Sequence, residues 1–499
     1  MAGRCAAALL VAMLATVNFA VGINNPSRPV WDESYYLTST QRYEDGVAQF
    51  ASHPPLGLML IAAGDGLLHV NRGLDTKALG RDKKVSGNAL PPGFSFAGVR
   101  AMSAVFAVGG ATLFFALLEM LTQSVLAAAL LANLYVFDNA FIAQFRAAQL
   151  DAFQIFFAIC ALLCFVAGFR SASRDPYGPR SYASSFLFGL SCGLAAMVRL
   201  NALALGLLGI QLVFERARQS WSREALGNPG SRRNLAAWII LDTGSMVMGG
   251  LVATITVFSL SVAVARHPPD PTTPAGMKDR DFVSTPYRDY LEGARRFSPS
   301  VVLAEVRDYA RFMAADFAGM ARTDSNASTA LQWPLNHKTI NFRWDTRGAQ
   351  TRYVQLSGNS FGWLLALAAP LAALSLIVLQ KLRPHASVEP QRHALMAALL
   401  VQYVAVMCLH MLLGTQRVMY IYHYFIGLLL AFCLIPLVWM EAAERWPPVR
   451  TRTAPVLAGT TALLLANFLF YAPLTFHQPL THSQCEWRNL FQAVVECRP

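Results

Sequence analysis

The stretch "NNPSRPVWDESYYLTSTQRYEDGVAQFASHPPLGLML", Asn24 to Leu60, decides how the whole chain is read. It follows directly on an apolar run, Cys5 to Val21, whose length and flanks suit a secretory signal as well as a membrane span. Its acidic pair, Asp32 and Glu33, and its rigid His53-Pro54-Pro55-Leu56 therefore belong either to an exported domain or to a working loop tied to a membrane.

Composition answers the coarse part. Of 499 residues, 55% are hydrophobic and 14% charged, which excludes a soluble chain with an ordinary surface. Runs long enough to cross a hydrocarbon core recur after Cys5 to Val21 near 99–121, 124–142, 149–169, 182–198, 200–214, 235–264, 359–380, 394–413, 419–440 and 453–472. The expected fold is an all-α polytopic membrane protein with eleven transmembrane helices.

The charge pattern orients them. The 41 Lys and Arg outnumber the 29 Asp and Glu, but they are scattered over many loops with no basic domain to hold a nucleic acid strand. Alternation from an inside amino terminus puts four basic segments on the cytoplasmic side: Arg170, Arg174 and Arg180; Arg216 to Arg233; Lys381 to Arg392; Arg445 to Arg452. The expected organisation is a first span over 1–22, an outer loop over 23–98, spans 2 to 7 over 99–264, a large outer loop over 265–358, spans 8 to 11 over 359–472 and an outer tail over 473–499. Within the first loop, His53 to Val70 reads as a juxtamembrane amphipathic helix; within the second, a Pro-rich opening precedes helix-like stretches. Six of the eight cysteines lie in apolar runs, whereas Cys485 and Cys497 share the outward tail, where a disulfide between them is permitted.

No nucleotide-binding loop and no zinc-ligand spacing occurs, so a substrate is expected to arrive through the membrane. Asp32 and Glu33 stand about ten residues beyond the first span, among Trp31, Tyr35 and Tyr36, where an interfacial anchor would hold a carboxylate at the water boundary as a general base. Cations at the same boundary complement them. Arg100 opens the second span and Arg146 lies between Asp138 and Asp151; the ordinary alternatives are snorkelling and an internal salt bridge. Arg199 interrupts an apolar stretch, and Arg417 and His423 stand among Tyr420, Tyr422 and Tyr424, which an aromatic belt alone would explain.

In order along the chain, "WDESYY", "HPPLGLML", "VRAMSAVFAVGG", "FDNAFIAQFRAAQLDAFQIFF", "GLAAMVRLNAL" and "YIYHYFIGLLLAF" resemble the dolichyl-phosphate-mannose protein O-mannosyltransferases and their bacterial relatives of the GT-C fold. The resemblance implies that Asp32 is the acidic residue of catalysis with Glu33 beside it, that Arg100 and Arg146 serve the carrier phosphate, and that His53 and Asp151 belong to family motifs. It also implies that the first span is retained. The chain departs from the family at Ser52 and Leu58, where Asp and Lys are usual, and at Arg199, where Lys is usual. Its second outer loop is too short for the MIR domain of the eukaryotic members, which points to a bacterial type.

The expected function is transfer of a sugar, mannose first, from a polyprenyl phosphate to Ser or Thr hydroxyls of exported protein, at an inner membrane with the site facing the periplasm. Alternatives are a lipid A or other envelope lipid or glycan acceptor on the same fold, and a transporter or flippase. Membrane lipids are the other expected partners. The chemistry requires no cofactor, and the residues leave the use of a divalent metal open.

Overall fold

A computed structural model describes residues 2–85, 89–172, 177–225, 235–489 and 497; Arg174, Arg232 and Arg233 lie outside them. Among the described residues ten helices are long and apolar enough to cross a membrane, or eleven if a bent pair is one span, and the chain is a multi-pass membrane protein. Helix α1 (Ala2–Phe19) leads into the segment expected as the first outer loop, which folds as α2 (Glu33–Glu44) and α3 (Leu56–Leu68). The chain then continues through α4 (Ala97–Thr122), α5 (Val125–Leu131), α6 (Asn133–Val136), α7 (Asn139–Phe145), α8 (Asp151–Ser171), α9 (Pro179–Val198), α10 (Gly206–Ala225) and α11 (Leu235–Val264). The segment expected as the second outer loop holds α12 (Pro274–Arg280), α13 (Thr285–Leu291) and α14 (Pro299–Ala318). Beyond it come α15 (Ser360–Leu382), α16 (Pro390–Gly414), α17 (Phe425–Arg445), α18 (Pro447–Thr451), α19 (Thr453–Thr475) and α20 (His482–Glu486).

The stretch expected as one span over 124–142 is the bent pair, turned by 61° between Val136 and Asn139. Asp138 causes the break. One carboxylate oxygen caps α7 through the Phe141 amide at 2.9 Å, and the other accepts from Trp363 Nε1 at 2.7 Å and the Asn359 amide at 3.1 Å. A buried carboxylate thus exchanges continuity of one helix for a join to the start of α15.

Helix α3 lies against α4 and α2, burying Gly57, Leu58, Ile61, Ala62 and Gly64 while Leu67 and Leu68 stay exposed. The approach is close: a Cβ on Gly64 would stand 2.9 Å from the carbonyl oxygen of Gly98. The same segment, 265–358, adds a hairpin that helical patterning missed, β1 (Ile340–Arg347) paired antiparallel with β2 (Gln350–Leu356) around Gly348 at positive φ. A third strand, β3 (Pro479–Thr481) from the tail, pairs with β2, and a disulfide joins Cys485 to Cys497.

The three segments expected outside interlock at one end of the bundle. Asp279, fully buried, takes Arg42 and Lys83 of the first loop at 2.6 Å each. The Ser52 hydroxyl donates to Asp316 at 2.6 Å, the Tyr309 hydroxyl to the His53 carbonyl at 3.0 Å, and the Trp31 ring stacks on Phe342 at 5.2 Å. His477 of the tail meets Asp345 of β1 at 2.9 Å.

Breaking one side of a buried ion pair leaves an uncompensated charge and costs about 3 to 5 kcal/mol. Asp279→Ala is therefore expected to lower the melting temperature of detergent-purified protein and to open 265–358 to limited proteolysis, while Asp281→Ala, on the exposed neighbour, leaves both at wild type.

Candidate functional site

Asp32 and Glu33 point in different directions because consecutive residues at a helix start diverge by about 100°. Glu33 turns inward and is fully buried. Its carboxylate accepts from the amides of Val30 at 2.7 Å and Ala148 at 2.6 Å and from Arg100 Nε and Nη2 at 2.7 and 2.8 Å. Arg100 sends its other donors to the carbonyls of Ile23, Pro26 and Arg28 at 2.7, 2.8 and 3.1 Å. A guanidinium has five N–H donors, and all five are spent on this one loop.

Asp32 stands at the cap of α2 without a capping bond from its side chain, and lines the more polar of two adjoining cavities, about 370 Å³ in volume. Burial pushes its carboxyl up to about 6, against the attraction of Arg199 and with the nearby Asp151 adding to the push. The same cavity is lined by Tyr36, His53, Arg199, Arg417, Tyr422 and His423.

Arg199, at the end of α9, is 4% exposed and paired with Asp151 at 3.1 Å; Gln144 donates to the same Asp151 oxygen. Its Nη2 lies 3.5 Å from the Tyr36 hydroxyl and its guanidinium 5.4 Å from the centre of the Tyr422 ring. Its Nε is buried without a partner among the described residues. Arg417, half-buried between α16 and α17, has no carboxylate in ion-pair contact among the described residues, and burial lowers its affinity for its proton, with Arg199 adding to that effect. His53 is held well below its usual range by burial and then by Arg199 and Arg417, so it is a neutral imidazole at pH 7. His423 Nδ1 stands 3.1 Å from the Tyr420 amide nitrogen and 2.9 Å from the Tyr420 carbonyl oxygen at the start of the short helix Ile421–Tyr424, accepting from the first or donating to the second according to its tautomer.

A second, mostly apolar cavity of about 640 Å³ adjoins the first, between α14, α16 and the turn after Arg199. Ser52, His53, Arg199, Met320, Arg417 and His423 line both cavities, so the two meet at a neck carrying two guanidiniums. Leu200 and Leu203, 43% and 64% exposed, border the apolar side.

The structure thus gathers Asp32, His53, Arg199, Arg417 and His423, with Asp151 directly behind Arg199. It corrects three expectations. Glu33 is not beside Asp32 in the cleft but inside the protein, its oxygens occupied. Arg100 has no donor left for a phosphate. Arg146 lines neither cavity; it clamps the end of α1 through the carbonyls of Asn18, Val21 and Gly22 at 2.9, 2.9 and 3.0 Å and packs on Phe476. Sequence reading missed Asp316 and Lys278 of the second loop, which line the polar cavity and pair at 3.4 Å, and read Tyr36 and Tyr422 as belt residues only.

A family model described as dolichyl-phosphate-mannose-protein mannosyltransferase matches residues 9–258, and one described as the C-terminal four TMM region of protein-O-mannosyltransferase matches 305–494. The chain is 26% identical over 194 residues to dolichyl-phosphate-mannose-protein mannosyltransferase 4 of Schizosaccharomyces pombe, 38% of this chain and 23% of that protein. It is 25% identical over 198 residues to mannosyltransferase 3 of the same description from Saccharomyces cerevisiae, 40% of this chain and 25% of that protein. These matches span about a quarter of the relatives' length. In fold, the S. cerevisiae protein O-mannosyltransferase Pmt1-Pmt2 complex bound to the sugar donor is similar over 99% of this chain and 93% of that one, with a TM-score of 0.81 at 12% identity. With the first family model covering half of its length and the second most of the remainder, the chain belongs to the dolichyl-phosphate-mannose-protein mannosyltransferase family and has the helical GT-C architecture.

Proposed function

We propose that this chain is a membrane glycosyltransferase that moves a mannosyl group from a polyprenyl phosphate to Ser or Thr hydroxyls of exported protein. The observation that carries the reading is the junction of the two cavities at Arg199 and Arg417. A lipid-linked sugar needs an apolar channel for its chain, cations at the phosphate and a polar chamber with a base for sugar and acceptor, in that order, and the neck supplies that order. The amino terminus then lies in the cytoplasm of an inner membrane, and the interlocked outer segments face the periplasm.

As the bond from the anomeric carbon to the phosphate oxygen breaks, negative charge grows on the departing polyprenyl phosphate. Arg199 and Arg417 stabilise it with fixed charge. Asp151 holds Arg199 in place, as its buried ion pair requires. Asp32 takes the proton of the acceptor hydroxyl as that oxygen attacks the opposite face of the anomeric carbon, a contribution of about 10² to 10⁴ in rate. One displacement inverts the anomeric centre. Neutral His53 is placed to exchange hydrogen bonds with the sugar without adding charge.

Asp32→Asn keeps the size of the side chain and removes the base. Purified variant, folded by its melting temperature, is expected to lose at least about a hundredfold in transfer from labelled polyprenyl-phosphate mannose to a Ser/Thr peptide in detergent. Wild-type turnover would remove Asp32 from this role, and label on a lipid acceptor with none on peptide would redirect the reading to a lipid-modifying enzyme.

The pH profile follows from the raised carboxyl. The ionised form is the base, so kcat/KM should fall about tenfold per unit as pH drops below about 6 and level off above it. A profile flat from pH 5 to 7 would contradict this.

A further inference from the structure

Apart from the cleft, a polar cavity of about 410 Å³ lies between the start of the first outer loop, the hairpin and the tail, and it shares no lining residue with the two cavities of the candidate site. Arg28, Arg347 and Arg352 line it with Asp345 and His477. Cross-strand register explains the concentration of charge. Asp345 stands opposite Arg352 and Arg347 opposite Gln350, and residues two apart on a strand or directly paired share a face. Arg347 and Arg352 therefore project from the face that carries Asp345, and Arg28 reaches the same space from the loop.

The single acid of this group is already spent. Asp345 is bound by Arg343 at 2.6 Å and by His477 Nε2 at 2.9 Å. Arg28, Arg347 and Arg352 form no ion pair among the described residues, so three guanidiniums converge without a counter-charge. Uncompensated charge in one concavity attracts an anion, and the planar fork of arginine matches a phosphate.

The position narrows the source. The cavity wall joins the chain leaving α1 to the chain leaving α19, where Asn25 Nδ2 donates to the Phe476 carbonyl at 3.4 Å. Both helices are candidate spans, so the cavity lies at the depth where spans emerge among lipid headgroups.

We infer that Arg28, Arg347 and Arg352 form a phosphate-binding site, separate from the cleft, that takes the headgroup phosphate of an anionic phospholipid or free inorganic phosphate. Its occupant would brace the segment whose Pro26 and Arg28 carbonyls Arg100 holds.

The test uses the full chain purified in neutral detergent and titrated with phosphatidylglycerol, phosphatidylcholine or inorganic phosphate, with binding read by native mass spectrometry and by melting temperature. Phosphatidylglycerol is expected to bind and raise the melting temperature while phosphatidylcholine does not, and a variant carrying R28Q, R347Q and R352Q to lose at least about tenfold in affinity. Displacement of bound lipid by inorganic phosphate supports the headgroup source; saturation by phosphate with no preference between the two lipids supports the free anion. Equal binding by wild type and variant overturns the site. Because no ion pair is removed, the variant should melt like wild type without ligand; should it fail to fold, a wild-type protein that neither prefers phosphatidylglycerol nor binds phosphate overturns the site equally.

Discussion

Glu33 and Arg100 meet with neither side chain more than 2% exposed, and the position of Asp32 depends on that meeting. Isolated, either charge would be too costly to bury; paired, and with every remaining donor and lone pair given to loop carbonyls and amides, they hold. The pair fixes the first turn of α2 against the start of α4 and against Ala148. Its neighbour Asp32 is thereby presented to the cleft without having to bond to anything itself. In the proposed role of base Asp32 is best left with free lone pairs, and the adjacent Glu33 bears the structural duty instead.

The same division sorts the arginines. Arg100 is consumed by Glu33 and by the carbonyls of Ile23, Pro26 and Arg28, and Arg146 spends three donors on the carbonyls at the end of α1. Arg199 keeps a buried Nε unpartnered among the described residues, and Arg417 faces it from across the neck without a carboxylate. Free donors, not conspicuous positions, mark where a phosphate can be held. Asp316, hydrogen-bonded to Ser52, also brings a carboxylate from the second loop to the position where the resemblance led us to expect an aspartate in the first. The departure at Ser52 is thus accompanied by an acid from a different element.

Much of the architecture was legible because a hydrocarbon core imposes a length of apolar chain that any window of sequence reveals. Cys5 to Val21, for example, is found as α1, and His53 to Val70 as α3 with one face buried. The break at Asp138 was not, since its cause is a bond to Trp363, more than two hundred residues away. The hairpin escaped because its alternation, Ile340 to Leu356, sits in a loop read for helices. At the site, Asp32 could be picked out from its context, whereas choosing among Arg100, Arg146, Arg199 and Arg417 required knowing which partners the fold supplies. No spacing in the sequence encodes that, because Asp32, Arg199 and Arg417 come together only when α2, the end of α9 and the α16–α17 turn pack around one cavity.

The most direct measurement is an experimental structure of the chain with a non-transferable polyprenyl-phosphate mannose analogue bound. The account predicts the phosphorus in the neck between Arg199 and Arg417, the prenyl chain along Leu203 and Leu413, and the sugar in the chamber with its anomeric carbon open to a hydroxyl held by Asp32. A phosphate seated against Arg100 or Arg146, or a sugar turned away from Asp32, would contradict it.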